Sequence, residues 1–403
     1  EARNLPGQCS KSGQKNLMIL DQHDSIDIHV FLSEYWQKKP LLIKGALPNF
    51  EDFLTPEELA GMACEDDVES RLVFSNNGAW EMKQGPFSER DFTFLPERDW
   101  TLLVQSVDHW LPEIKQLFQE VSFIPSWRLD DVMISYAAVD GGVGPHFDYY
   151  DVFLVQGQGV REWQLGHQCN SKTPITTDSG LKILENFAAI ESHVLHAGDI
   201  LYIPAGMSHW GRALKPGLCY SIGFRAPDIP ELLSAFSFQA ESVIPADQRY
   251  RDPVIDPEQK PGAISSNALQ QVKSLLQGAL GNQELLIQCF GRLMTEPRLE
   301  ELLTSPEQAL SPAEMAVQLQ KGMHLAPHPV TRFACHYLAS NLYFFANGES
   351  VLLHDVSEKL LQLNDELQSA AGRKLELKNY QRNEDCLKLL CYLYNQGCII
   401  KEN

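Results

Sequence analysis

Apolar and polar positions follow three different rhythms along this chain, and each change of rhythm marks a region. From residue 17 to about 130 the apolar residues recur mainly at three- and four-residue spacing, the helical period. Ile28–Lys38, Thr55–Ala63 and Trp100–Val121 read as amphipathic helices on that pattern. Thr55-Pro56-Glu57-Glu58 adds a helix start, with a capping hydroxyl, Pro in the first turn and then carboxylates. From Asp131 the pattern turns to short strands: Val132–Val139, Asp151–Val155, Val160–Leu165, Ile200–Ile203 and Cys219–Phe224. Short strands with Gly-rich turns between them predict a sandwich or barrel of the jelly-roll type, a double-stranded β-helix. From 229 to 310 no strand signal is left, and Pro230–Val243, Asn267–Gly278 and Asn282–Met294 read as amphipathic helices. Past 311 the rhythms mix. Ser311-Pro312-Ala313-Glu314 starts a helix, Asn347-Gly348 joins Leu342–Ala346 to Ser350–His354 as a hairpin, and helices follow at Val356–Ala371 and Glu384–Asn395. Helix, hairpin and further helices spell a winged-helix-like domain.

The expected class is therefore α+β, in four stretches. Residues 1–16 are polar and patternless and are expected to be a leader or cloning remnant outside the fold. Residues 17–228 hold the jelly roll, 229–310 a helical region, and 311–403 the winged-helix-like unit. Composition agrees with a division near 228, since all seven Trp lie before residue 211. The helices of 229–310 carry apolar faces suited to a second copy of the chain, so a homodimer is expected.

Charge and cysteine narrow the partners. Lys+Arg 33 against Asp+Glu 53 gives a net charge of −20. Such a surface repels nucleic-acid phosphates and attracts basic proteins. Winged helices often bind DNA, but residues 321–403 hold nine basic and nine acidic side chains. That unit has no positive excess to meet a phosphate backbone. The longest apolar stretches are too short to span a bilayer, and no signal-peptide pattern opens the chain. Nine scattered Cys without a C-x-x-C read as reduced thiols in a cytoplasmic protein.

The chemistry concentrates in Gly141-Gly142-Val143-Gly144-Pro145-His146-Phe147-Asp148. Residues i and i+2 of a strand share a face, so His146 and Asp148 can hold one metal ion. Gly198-Asp199-Ile200-Leu201-Tyr202-Ile203-Pro204-Ala205-Gly206-Met207-Ser208-His209 offers a third ligand, His209, on a turn that returns towards the first two. Two His and one carboxylate with open positions form the facial triad of non-haem Fe(II) oxygenases. The other reading of His209 is a satisfied structural imidazole. His193 and His196 are three apart and face opposite ways on a strand. His167 reads as a solvated turn residue, and His23, His29, His324, His328 and His354 lie outside the strand region. If the cosubstrate is 2-oxoglutarate, its far carboxylate needs a buried cation, and a guanidinium matches a carboxylate bidentately. Arg161 in Val160-Arg161-Glu162-Trp163-Gln164-Leu165 is the candidate. Spacing alone leaves it open between that role and a surface charge.

Four runs then carry a resemblance: Met133-Ile134-Ser135-Tyr136, Gly141 to Phe153, Asp199 to Pro204, and Tyr220-Ser221-Ile222-Gly223-Phe224-Arg225-Ala226-Pro227. The chain resembles JmjC oxygenases of the cupin superfamily, and in particular the bacterial ribosomal oxygenases, over nearly all of residues 17–403. The resemblance implies Fe(II) at His146, Asp148 and His209, with 2-oxoglutarate as cosubstrate and O2 as oxidant. It places the cosubstrate's carboxylate on Arg161, with the Ser135 hydroxyl assisting. The position four residues after His209, often Asn in generic cupins, is Ala213 here, a departure from the generic pattern that leaves the JmjC one intact. The implied reaction hydroxylates an arginine C–H in the sixteenth large-subunit ribosomal protein, a basic substrate that suits the acidic surface. Asp140, just before the Gly-Gly pair, is the candidate to hold the substrate guanidinium; a solvated loop Asp is the competing reading. Three other readings compete with the whole: a JmjC enzyme acting on histidine or an N-methyl group, a non-enzymatic adaptor, and a DNA-binding regulator.

Overall fold

β-branched and aromatic runs between glycine turns build most of the first half of the molecule. The computed structural model describes residues 17–20, 24–76, 78–258, 260–370 and 373–402. The expected leader, Cys9 and His23 lie outside the described residues. Two compact units emerge, one of residues up to Phe123 together with Asp131–Phe224, the other of Ile124–Asp130 with Arg225 onward.

The first unit is a jelly roll. Its main strands are β1 (Leu41–Ile43), β2 (Ser70–Asn76), β3 (Ala79–Gln84), β4 (Trp100–Val104), β5 (Leu129–Ala137), β6 (Val152–Gln156), β7 (Val160–Gln168), β8 (Glu191–His196), β9 (Ile200–Ile203), β10 (Met207–Lys215) and β11 (Gly217–Phe224). Eight of them form a sheet in the order β1-β9-β6-β11-β5-β4-β2-β3, and the other three form β8-β7-β10. The sheets close on one another through a shared apolar cluster. Trp163, Leu165 and Leu195 from the small sheet meet Val152, Leu154, Leu201, Ile203 and Cys219 from the large one. Burying such side chains stabilises by roughly 1.5–3 kcal/mol each relative to exposure.

Helix α1 (Pro56–Met62) begins where its sequence signals placed it. Thr55 accepts from the Glu58 amide at 3.2 Å, and the Glu58 carboxylate accepts from the Thr55 amide at 2.7 Å. The stretch Trp100–Val121 is not the expected helix. Trp-Thr-Leu-Leu-Val forms β4, buried between β2 and β5. Ser106 then turns the chain at φ +53°, Pro112 blocks a continuous helix, and what remains is 3₁₀ turns at Val107–His109 and Pro112–Gln116 with one short α-helical turn at Leu117–Glu120. Aromatic and β-branched content decided the outcome over a spacing that fits either element. His167 likewise lies within β7 rather than in a turn, although its side chain is exposed.

The second unit opens with helices α2 (Ile229–Val243), α3 (Ser266–Leu280) and α4 (Gln283–Thr295), capped by Asp228, Ser265 and Asn282. It continues with α5 (Pro312–Gln320), the pair β12 (Leu325–Pro327) with β16 (Ile399–Lys401), and the sheet β13 (Phe333–Leu338), β14 (Asn341–Ala346), β15 (Glu349–Leu353). Asn347 (φ +50°) and Gly348 (φ +77°) make the β14–β15 turn with both central residues left-handed, as a type I′ hairpin requires. Helices α6 (Glu358–Ser369) and α7 (Glu384–Asn395) bury Leu360, Leu363, Leu367, Leu389, Leu390 and Leu393 in one core. This is a winged-helix unit.

Candidate metal centre and cosubstrate pocket

The Gly-Gly turn before His146 fits only because it lacks side chains. A Cβ on Gly142 would stand 2.2 Å from the Gly211 carbonyl oxygen of β10. With that close approach, an isolated bridge forms between His146 and His209. The His146 amide donates to the His209 carbonyl at 3.0 Å, and the His209 amide donates back at 2.8 Å. The Gly206 amide donates to the Asp148 carbonyl at 2.6 Å, which ties the loop to the turn before β10. Residues 146 and 209, far apart in the chain, are thus locked side by side through the backbone.

The side chains converge. Asp148 Oδ2 lies 3.8 Å from His146 Nε2 and 3.7 Å from His209 Nε2, and ligand atoms of all three fall within 4.8 Å of one another. Each imidazole is oriented from behind. His146 Nδ1 is 2.9 Å from the Gly144 carbonyl, and His209 Nδ1 is 2.9 Å from the Met207 carbonyl. A carbonyl only accepts, so Nδ1 carries the proton in both rings and Nε2 keeps its lone pair for a metal. Burial, with the neighbouring His146, pushes His209 down from its ordinary value to about 4, which keeps it neutral. Two neutral imidazoles and a carboxylate are the donor set for a divalent ion such as Fe(II).

Along the inward face of β7 and β10 the register continues from this site. Leu165 stands opposite His209, Trp163 opposite Gly211, and Arg161 opposite Ala213. Arg161 is buried (6% exposed), and its Nη1 donates to the Ser135 hydroxyl of β5 at 2.9 Å. Its Nη2 is buried without a partner, and among the described residues no carboxylate pairs with it. Burial lowers its pKa, and the neighbouring Cys219 opposes that shift. A guanidinium left in this state costs several kcal/mol. An anion delivered by a ligand relieves the cost, so the pocket fits a carboxylate of 2-oxoglutarate.

Asp140 sits at φ +59°, and its carboxylate is held by Arg98 and, at 3.6 Å, by Arg212. Arg212 also reaches Glu162 at 3.2 Å and lies on the outer side of its strand, whereas its neighbours Gly211 and Ala213 are buried. Of the remaining histidines, His193 contacts Glu191 at 3.2 Å and the His196 ring lies 3.9 Å from Asp199; neither belongs to the metal cluster. Reading by residue type passed over Trp163. The signal was there, since it alternates with Arg161 on a strand whose odd positions face inward.

A closed double-stranded β-helix with a two-His, one-Asp site and a buried basic residue defines the class of JmjC-type oxygenases. Residues 116–232 match the JmjC domain and residues 274–399 the ROXA-like winged helix. The chain is 38% identical over 321 residues to the ribosomal protein uL16 3-hydroxylase of Escherichia coli, covering 80% of this chain and 84% of that protein. It is 34% identical over 336 residues to a probable ribosomal oxygenase of Haemophilus influenzae, covering 81% and 82%. The solved structure of the ribosomal oxygenase YcfD from E. coli with cobalt and 2-oxoglutarate superposes with a TM-score of 0.80 at 33% identity, over 94% of this chain and 99% of that one. The chain belongs to the JmjC ribosomal oxygenase family.

Proposed function

We propose that this protein is an Fe(II)- and 2-oxoglutarate-dependent oxygenase that hydroxylates an arginine side chain of ribosomal protein uL16. The observation that carries the reading is one continuous inward face with a metal triad at one end and an unneutralised guanidinium further along. The rows of His209 and Arg161 are four residues apart, about 13 Å at strand rise, a span that two side chains and a five-carbon diacid can bridge. When bound, the ion and 2-oxoglutarate together activate O2, converting a substrate C–H to C–OH as the cosubstrate leaves as succinate and CO2.

The chain's own residues supply the rest. His146, Asp148 and His209 hold the ion, and the Nδ1 bonds to Gly144 and Met207 keep the rings aimed at it. Arg161 and Ser135 bind the distal carboxylate. The substrate class rests on the relative whose name contains uL16 and on the net charge of −20, which favours a basic protein over nucleic acid. Asp140 is our candidate for the substrate guanidinium, which would replace one of its present arginine partners. Asp140→Ala is then expected to lower kcat/KM for a uL16 peptide with metal and 2-oxoglutarate binding intact. Unchanged peptide kinetics would leave Asp140 as a partner of Arg98 and Arg212 alone.

The same reading assigns residues 17–228 to catalysis and 229–310 to self-association as a homodimer, with the winged-helix unit serving protein contact in a cytoplasmic enzyme. Support for self-association comes from Ile229 (71% exposed), Phe238 (77%) and Leu276 (61%), large apolar side chains on α2 and α3. No helix among the described residues is long and apolar enough to cross a membrane. The decisive test of the assignment is turnover of 2-oxoglutarate coupled to oxidation of a uL16 peptide. Turnover of neither would remove the enzyme reading, and formaldehyde release from an N-methylated peptide would replace it with demethylation.

A further inference from the structure

Trp163 occupies the row between the metal ligand His209 and the guanidinium of Arg161 on the β7–β10 inward face. Its ring centroid lies 5.9 Å from that of His209, and the Arg161 guanidinium carbon lies 5.9 Å from the Trp163 ring. The side chain is 6% exposed, and the indole N–H is buried without a hydrogen-bond partner. A buried donor left unmade keeps the full cost of its desolvation, so native proteins usually fill such a position. Phe would supply an apolar ring, though a smaller one, without an N–H to satisfy. Opposite the ring stands Gly211, where a Cβ would come within 2.7–2.9 Å of the benzo edge. The strand pair therefore gives up a side chain at Gly211 so that an indole can lie flat against it.

We propose that Trp163 is a cosubstrate-binding residue: its indole N–H donates to an oxygen of 2-oxoglutarate as the diacid passes from the metal triad to Arg161. The inference rests on the function proposed above. Its geometric basis is separate from that of Arg161, because a ligand spanning the outer two rows must cross the middle one. Trp163 Nε1 and Arg161 Nη2 are both unfilled buried donors on alternate residues of one strand. A dicarboxylate is an acceptor at both ends and satisfies the pair together. Indole, unlike guanidinium, adds no charge, so it orients the ligand without deepening the buried positive potential.

The test uses the full chain loaded with Mn(II), in which 2-oxoglutarate binds without turnover, and titrates it by calorimetry. Trp163→Phe is expected to raise the 2-oxoglutarate Kd about tenfold, the loss of one bond to a charged acceptor. Mn(II) affinity should be unchanged. In the Zn(II)-loaded wild type, NMR of the seven tryptophans should show one indole N–H moving downfield when 2-oxoglutarate is added. A Kd within twofold of wild type, with no indole resonance shifted, would overturn the proposal while leaving the oxygenase assignment standing. Parallel losses of Mn(II) affinity, 2-oxoglutarate affinity and melting temperature, again with no indole shift, would reduce Trp163 to a packing residue. Failure of the wild type itself to bind 2-oxoglutarate would sink the function and this inference together.

Discussion

Single residues set the electrostatics of the pocket, and two of them make separable predictions. Arg161 is a buried cation whose Nη2 has no hydrogen-bond partner among the described residues, and the proposed role gives that donor the cosubstrate's carboxylate. Arg161→Ala should raise the KM for 2-oxoglutarate by roughly 10- to 100-fold, as a charge-assisted contact in a dry site is lost. Metal affinity measured by calorimetry should stay at the wild-type level. His209 makes a pH prediction for the metal-free protein. Burial holds it at about 4 in the fold, whereas the unfolded chain titrates near the ordinary ~6.5. Between those values the unfolded state binds more protons, so stability falls as pH drops from 6.5 towards 4. The slope attributable to this group is at most about 1.4 kcal/mol per pH unit. Denaturant midpoints taken across that window should show the slope in the wild type and lose that part of it in His209→Gln. The metal triad was legible in sequence because its residue types and spacing are tied to chemistry. For Trp163 the alternation with Arg161 was legible but its role was not, because a tryptophan on a strand reads as core until its N–H is seen to lack an acceptor.

Elements were legible where a local signal forces one conformation. The capping box at Thr55 and the Asn347-Gly348 turn sit where expected, since each is fixed by bonds or dihedrals within a few residues. Helix α7 and strand β9 match their predicted ranges residue for residue. The strands β2 and β3 (Ser70–Asn76 and Ala79–Gln84) match no element expected from the sequence, and the spacing of β4 reads as helical. All three owe their state to neighbours in the large sheet rather than to their own periodicity. The same dependence on a neighbour governs the glycine turn that presents His146. Gly142→Ala places a methyl group against the Gly211 carbonyl, so the loop must leave β10 and pull His146 from His209. The expected cost is about 1–3 kcal/mol of stability, with metal affinity down at least about tenfold. Thermal melting and Mn(II) titration of the variant would measure both. Normal metal binding would show that the site tolerates separation of the two backbones.

At the scale of the whole molecule, an acidic surface, a jelly-roll active site and exposed apolar helices have to serve one task. The exposed side chains of α2 and α3 predict a stable dimer at micromolar concentration, measurable by light scattering. Replacing Phe238 and Leu276 with Glu should give monomers that keep the metal site. A monomeric wild type would contradict the assembly. The proposed reaction is measured most directly by mass spectrometry of a uL16 peptide incubated with the Fe(II)-loaded protein, 2-oxoglutarate and O2. The peptide should gain one oxygen atom, located by fragmentation on an arginine side chain, and should gain none when 2-oxoglutarate is withheld or when His146→Ala replaces the wild type. An unmodified arginine, with 2-oxoglutarate consumed only alongside oxidation of some other residue, would contradict it.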